Sequence, residues 1–312
     1  MEINKDRDIV IFHVGGGING IGPATRLLDM FGKNCVVYVF DARETDSDIE
    51  QQSDYDNSGI RSKLVNKCIG GKTGKHFFRV NKVGSSSSMY EPSKYVLDYH
   101  ITPWSESPKI KTWGENTELD KLIEVDTITL KEFISKEKVT PDVLSIDAQG
   151  SELDIIEGCG EYLKEVFCIV SEVEFTEIYE GQPLFQDQAK FLKTEGFKLI
   201  DIMNPQRWHP APVIGEGCLT VGEALWFREQ FCDLTTSTSS FIKFAAVAFS
   251  FNRISFMNKL LLTRDYEDVK KYCNKYHYEY MFKVYTYIKD NLQRYEEDPK
   301  FFIKNFTTSI NL

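Results

Sequence analysis

Three carboxylates and a cluster of glycines are the residues in this chain best suited to chemistry: Asp147, Glu172 and Glu174, with the segment HVGGGINGIGPA at residues 13–24. Glycine lets a backbone turn sharply and approach a ligand with no Cβ in the way. A helix that opens just beyond such a turn offers free N–H groups to a nucleotide-like ligand. Gly15, Gly16, Gly17 and Gly20 follow the apolar run IVIFHV, and Pro23 suits the first position of a helix. Asp41 ends a second apolar run, residues 36–40, and stands where an acid that accepts hydrogen bonds from ribose hydroxyls belongs. The expected cofactor-binding set is therefore Gly15, Gly16, Gly17, Gly20, Asp41, the adjacent Ala42, and Asp147.

A carboxylate at the carboxyl end of a central strand faces the ligand crevice of an open α/β sheet, which makes Asp147 the first candidate for the catalytic centre. A cap on the following helix is its other reading. Glu172 and Glu174 lie on one strand, and only one of them is expected to face the site: Glu172 as a catalytic base, or Glu174 as a substrate contact. His209, in Arg207-Trp208-His209-Pro210 before the last strand, is a further candidate base, with Trp208 as a substrate contact. Ser86 and Ser87, inside the serine run 85–88, are candidates to hydrogen-bond an acceptor, and Trp104 and Trp113 to stack on a sugar face. The five histidines and seven cysteines show no metal-ligand spacing, so no metal is expected.

The elements that must position these residues alternate. Strands are expected at 9–14, 36–40, 63–69, 75–80 (beside the third strand), 122–128, 142–147, 166–173, 197–202 and 224–228. Helices are expected from about residue 22, at 130–137, near 151–159 and at 184–195, the last stopped by Gly196. Strands alternating with helices predict an α/β fold, a doubly wound Rossmann-like sheet that is mostly parallel and covered on both faces. Residues 81–118, with their serines, tryptophans and prolines, read as a long functional loop or lid. A Thr/Ser-rich stretch near 231–240 sets the expected boundary between a domain at 1–231 and a helical accessory region at 232–312, whose Tyr/Phe-rich helices suit core, substrate or homo-oligomer contacts.

A net charge of −10 argues against nucleic acid as partner, because phosphate binding needs a basic footprint. A small molecule or neutral glycan fits better. Seven cysteines with no Cys-x-x-Cys pair point to reduced thiols and a cytoplasmic setting. The N-terminal MEINKDRDIVIF lacks the apolar core of a signal peptide. Residues 241–262 are the most apolar stretch, but Lys243, Arg253 and Lys259 interrupt them, so a packed helix is expected and no membrane span.

The stretch PDVLSIDAQGSELDIIEGCGEYLKEVFCIVSEVEF, residues 141–175, resembles the FkbM-type methyltransferases, whose hallmark is a strand ending in Asp, then Gly and a helix-opening Glu. Asp147, Gly150 and Glu152 stand at those places, followed by Gly158, the Glu172-x-Glu174 strand end and Gly196-Phe197. GSSSSMYEP resembles that family's serine loop, VDTITLKEF the segment entering its fourth main strand, and GEALWFRE its final antiparallel strand. The chain departs from the family pattern at His13, at Gly16-Gly17, at Asp41 where Glu is usual, and at Ser145. The resemblance covers roughly residues 9–230 and implies a methyltransferase sheet whose last strand is antiparallel. It also implies S-adenosylmethionine as cofactor, S-adenosylhomocysteine as product, and O-methylation of a sugar, glycan or related small molecule. Two other readings stand beside it. The turn Gly16-x-x-x-Gly20-Ile21-Gly22 resembles short-chain dehydrogenases, which use NAD(P), although Pro92 interrupts the Tyr90/Lys94 pair which that chemistry would need. A catalytically silent Rossmann-like binding protein is the other.

Overall fold

The computed structural model describes residues 2–15, 25–41, 59–101, 112–210, 212–232, 236–253, 264–291 and 297. Four apolar runs make the centre of the main sheet: β1 (Ile9–Val14), β2 (Cys35–Asp41), β7 (Val143–Ile146) and β8 (Cys168–Glu174). β1 and β7 are buried at every position, as expected of strands covered on both faces. With β3 (Arg61–Asn66), β9 (Phe197–Trp208) and β10 (Cys218–Arg228) they form a seven-stranded sheet in the order β3-β2-β1-β7-β8-β10-β9. β7 runs parallel to β1 and β8, and β2 parallel to β3, whereas β10 is antiparallel to both its neighbours. This is the expected doubly wound α/β fold, mostly parallel with an antiparallel last strand.

The expected third strand is two strands. It breaks at Lys67, after which β4 (Cys68–Ile69) joins a separate three-stranded sheet, β4-β6-β5, with β5 (Gly74–Asn81) and β6 (Leu119–Ile128). β5 therefore pairs with β6, antiparallel from Gly74↔Thr127 to Asn81↔Leu119, and not with β3. Alternation marks a strand without naming its partner. β9 outruns its expected end by six residues, through Pro205 to Trp208. It lies at the sheet edge, where proline costs no ladder bond, and Asn204 takes a left-handed φ of 47° where the register to β10 slips.

Helices α1 (Thr25–Phe31), α2 (Trp113–Asn116), α3 (Leu130–Glu137), α4 (Glu152–Glu157) and α5 (Phe185–Thr194) fall between strands. Thr129 caps α3, its hydroxyl accepting the Glu132 N–H at 3.2 Å. Much of 81–118 is packed structure: Ser86, Ser88, Ser93 and Trp113 are buried.

Contacts divide the chain into two compact units. One, Val10–Ala24 with Val36–Glu229, carries both sheets. The other joins Met1–Ile9, Thr25–Cys35 and Gln230–Leu312. Within it α6 (Thr238–Ser250) is buried from Phe241 to Ser250, and the Lys243 ammonium donates to the carbonyls of Lys5 (3.2 Å) and Asp8 (3.0 Å). α7 (Tyr266–Tyr276) and α8 (Glu279–Asp290) bury Tyr272 and Tyr285, and Tyr278 between them donates to the Arg7 carbonyl at 2.7 Å. The aromatic stripe is thus core here, and it ties the N-terminal residues to the C-terminal helices. No helix among the described residues is long and apolar enough to cross a membrane.

Candidate functional site

Strand order reverses between β1 and β7, so the loops at their carboxyl ends diverge and leave a crevice. An open cleft lies there. Val14 and Gly15 line it after β1, Asp41 ends β2 on a second side, Lys67 and Cys68 follow β3, and Asp147 and Gln149 follow β7. Gly15 shapes its floor. Its φ is +82°, and a Cβ built there would lie 1.9 Å from the Asp147 carbonyl oxygen, so the first and fourth main strands can end this close together only with glycine. Its N–H donates to the Phe40 carbonyl at 3.1 Å, joining the end of β2 to the same junction.

Behind the cleft the chain turns through two successive left-handed residues, Gln149 (φ 53°) and Gly150 (φ 99°). Glu152 braces this turn: its two carboxylate oxygens accept the N–H groups of Ala148 (2.7 Å) and Gly150 (2.9 Å). The turn aims the Gln149 carboxamide between two strands. Its Nε2 donates to Asp147 Oδ1 and to Glu172 Oε2, both at 2.8 Å. The Tyr179 hydroxyl lies 3.0 Å from both Gln149 Oε1 and the Ser86 carbonyl, and Ser88 donates to the Gln149 carbonyl at 2.6 Å. Since the amide nitrogen has two protons and no lone pair to offer, the oxygens facing it are acceptors.

This neighbourhood is strongly electronegative. Burial holds the Glu172 carboxyl well above the ordinary range, and the charges of Asp147, Glu174, Glu152 and Glu223 push it the same way. Glu174 is raised chiefly by burial, against a pull from the Gln182 amide. Burial also raises Asp147, opposed by the Gln149 hydrogen bond, and Glu152 is pushed up to about 7. Each of Glu152, Glu172 and Glu174 places one carboxylate oxygen within 4.8 Å of the others.

Of the expected residues, Gly15, Asp41 and Asp147 meet around the cleft, while Gly16, Gly17, Gly20 and Ala42 lie outside the described residues. Glu172 and Glu174 both stand in the carboxylate cluster. Residues two apart on a strand share a face, which brings the two carboxylates together, and neither of them lines the cleft itself. Ser87 lines the cleft, with its Oγ accepting the Asn81 N–H at 3.0 Å. The Ser86 hydroxyl sits 2.8 Å from each of the Val83 and Asn116 carbonyls, turned into its own loop. Trp208 is buried against Trp113, ring centroids 4.9 Å apart, and His209 exchanges backbone hydrogen bonds with His100 (2.8 and 3.0 Å). Neither residue lines the cleft. His13 closes β1, its Nδ1 3.0 Å from Ser145 Oγ on β7. Trp104 lies outside the described residues.

Sequence reasoning missed Gln149 and Tyr179. The dipeptide Gln149-Gly150 after an acid-tipped strand did signal a turn, but nothing in spacing tells that the glutamine side chain folds back onto Asp147. Tyr179 comes from the segment after β8, whose path only the folded chain reveals.

The family model described as the methyltransferase FkbM domain matches residues 32–199. Among solved structures, the chain is similar to the precorrin-6y C5,15-methyltransferase from Geobacter metallireducens GS-15, with 12% identity and a TM-score of 0.33. That likeness covers 71% of this chain and 81% of that one. No curated protein matches the chain.

Proposed function

The chain belongs to the FkbM methyltransferase family, and from that premise we propose that it takes S-adenosylmethionine as donor and methylates a hydroxyl of a sugar, glycan or related small molecule. One observation carries this reading: the cleft at the strand reversal has an acid on either side, Asp41 and Asp147, over a floor that only glycine permits. Those residues fit the donor. Asp41, lining the cleft at the end of β2, would accept hydrogen bonds from ribose hydroxyls, and the Asp147 carboxylate would face a positively charged sulfonium.

The donor, when bound, supplies a methyl group already activated for in-line displacement. The protein's own work is then to align the acceptor, exclude water and receive a proton. Gln149 occupies Asp147 Oδ1 and Glu172 Oε2, which leaves Asp147 Oδ2 and Glu172 Oε1 to take the proton of the acceptor hydroxyl. Burial raises the proton affinity of both groups, bringing them nearer to that of a hydroxyl losing its proton. The proton ends on a carboxylate and the methyl on the acceptor oxygen. In this reading residues 1–231 form the methyltransferase domain, and the helices of 232–312 serve acceptor or homo-oligomer contacts.

Thermal unfolding with added ligand tests the donor. S-adenosylhomocysteine should raise the midpoint and NADH should leave it unchanged. Stabilisation by NADH alone would replace methyl transfer with hydride transfer, and stabilisation by neither would leave a binding fold without this cofactor. Transfer of labelled methyl from the donor to hydroxylated saccharides, in a linkage stable to mild base, tests the acceptor class.

A further inference from the structure

Donor and product of methyl transfer share adenine, ribose and the amino-acid end. They differ by one methyl group and one positive charge. A site with neutral walls would hold both about equally, and product would then compete with donor at every turnover. The wall of this cleft is not neutral. Asp147 stands at its edge, and the Gln149 carboxamide ties that carboxylate to Glu172 on the next strand through two bonds of 2.8 Å.

Among the described residues, the groups facing this pair are acids: Glu152 from α4, Glu174 from the same strand as Glu172, and Glu223 from β10, with the Tyr179 phenol beside Gln149. Asn204 donates to Glu223 at 2.8 Å, and the Gln182 amide acts on Glu174. Carboxamides thus hold Asp147, Glu172 and Glu223, and backbone N–H groups hold Glu152, where lysine or arginine could have neutralised them. Among the described residues, the charges acting on Glu172 are all carboxylates. Lys67 and Cys68 line the cleft after β3, and the Cys68 thiol is pushed up to about 11 by burial and then by Asp41, which keeps it neutral. Amide bridges orient acids without cancelling their charge.

We propose that the Asp147–Gln149–Glu172 bridge is a charge selector, holding the cationic donor more tightly than its neutral product and so favouring product release. The inference rests on the donor reading above and adds what the carboxylates do before and after the methyl leaves. The selector acts when the pair is ionised. Protonation in acid removes the charge that prefers a sulfonium, so the preference should rise with pH. An opposite charge within about 4–6 Å shifts a carboxylate by roughly one to three pKa units, and linkage converts one such unit into a tenfold affinity ratio.

Calorimetry with S-adenosylmethionine and S-adenosylhomocysteine measures this without any acceptor. The quantity is the Kd of S-adenosylhomocysteine divided by that of S-adenosylmethionine, followed from about pH 5 to about pH 8. For the wild-type protein that ratio should climb by about tenfold or more. In Glu172→Gln, which keeps the side-chain shape, the climb should flatten. In Gln149→Glu, which adds a negative charge to the bridge, its midpoint should move to higher pH. A ratio that stays level with pH while both ligands bind overturns the selector and leaves the donor reading intact. A climb unchanged in Glu172→Gln overturns it too. Binding of neither ligand removes the donor reading, and the selector with it.

Discussion

Gly15 and Asp41 set the cleft's shape and its ribose end, and each can be tried alone. Alanine at position 15 would meet the Asp147 carbonyl at 1.9 Å in a backbone conformation L-residues rarely adopt. Strain of that kind costs about 1–3 kcal/mol, so Gly15→Ala should lower the thermal midpoint and weaken S-adenosylhomocysteine binding together. An unchanged midpoint would show that the two strand ends are free to part. Asp41 ends β2, and its contribution should be to the ligand more than to the fold. Loss of a hydrogen-bonding charge costs roughly 1.5–3 kcal/mol. Asp41→Ala should therefore weaken S-adenosylhomocysteine binding by about 10- to 150-fold in calorimetry while the protein stays folded. Unaltered affinity would deny Asp41 any contact with the ribose. At Asp147 the expected split runs the other way: Asp147→Asn should still bind S-adenosylhomocysteine while labelled-methyl transfer collapses.

Among elements, the end of β10 is held by a single buried side chain. The Arg228 guanidinium donates to the carbonyls of Val166 (3.1 Å), Glu195 (2.5 Å) and Leu163 (2.5 Å), and stacks 4.1 Å over the Phe197 ring. It thereby satisfies the chain ends entering β8 and leaving α5. Arg228→Met keeps apolar bulk but removes this donor: the Leu163 carbonyl retains the Val166 N–H at 3.1 Å, whereas the buried Val166 carbonyl is stranded, at a cost of about 1–3 kcal/mol. Chemical denaturation should show a loss of about 1–3 kcal/mol, and a loss under about 0.5 kcal/mol would mean that water reaches it. This clamp was invisible in the sequence, because Arg228 gains its partners from residues more than thirty positions away. What was legible at this scale had local causes. The buried strands β1, β2, β7 and β8 read as unbroken apolar runs, and α3 announced itself through Thr129 and its apolar spacing. Partners were not legible: β5 was assigned beside β3, and the true ladder to β6 crosses the segment 82–118.

The whole molecule combines a net charge of −10 with a set of buried acids, and this fixes the sign of its pH response. Asp147, Glu152, Glu172 and Glu174 all bind protons more tightly folded than unfolded, Glu152 up to about 7. A carboxyl raised in this way adds stability that is fully present below its unfolded pKa. That stability is lost as pH climbs through the folded value. Without ligand, the thermal midpoint should therefore fall between about pH 4.5, the unfolded range for Glu, and about pH 7. A midpoint that rises over that interval would mean these carboxylates are ionised at little cost in the folded chain. Such coupling belongs to the assembled site. The sequence named Asp147, Glu172 and Glu174 as separate candidates, but folding joins Asp147 and Glu172 through Gln149 and brings Glu174 beside Glu172.

The most direct test is a crystal structure of the complex with S-adenosylhomocysteine. The predicted result is ligand in the cleft beside Gly15, with its ribose hydroxyls on the Asp41 carboxylate and its sulfur turned toward Asp147. A ligand bound elsewhere, or a ribose with no contact to Asp41, would contradict it.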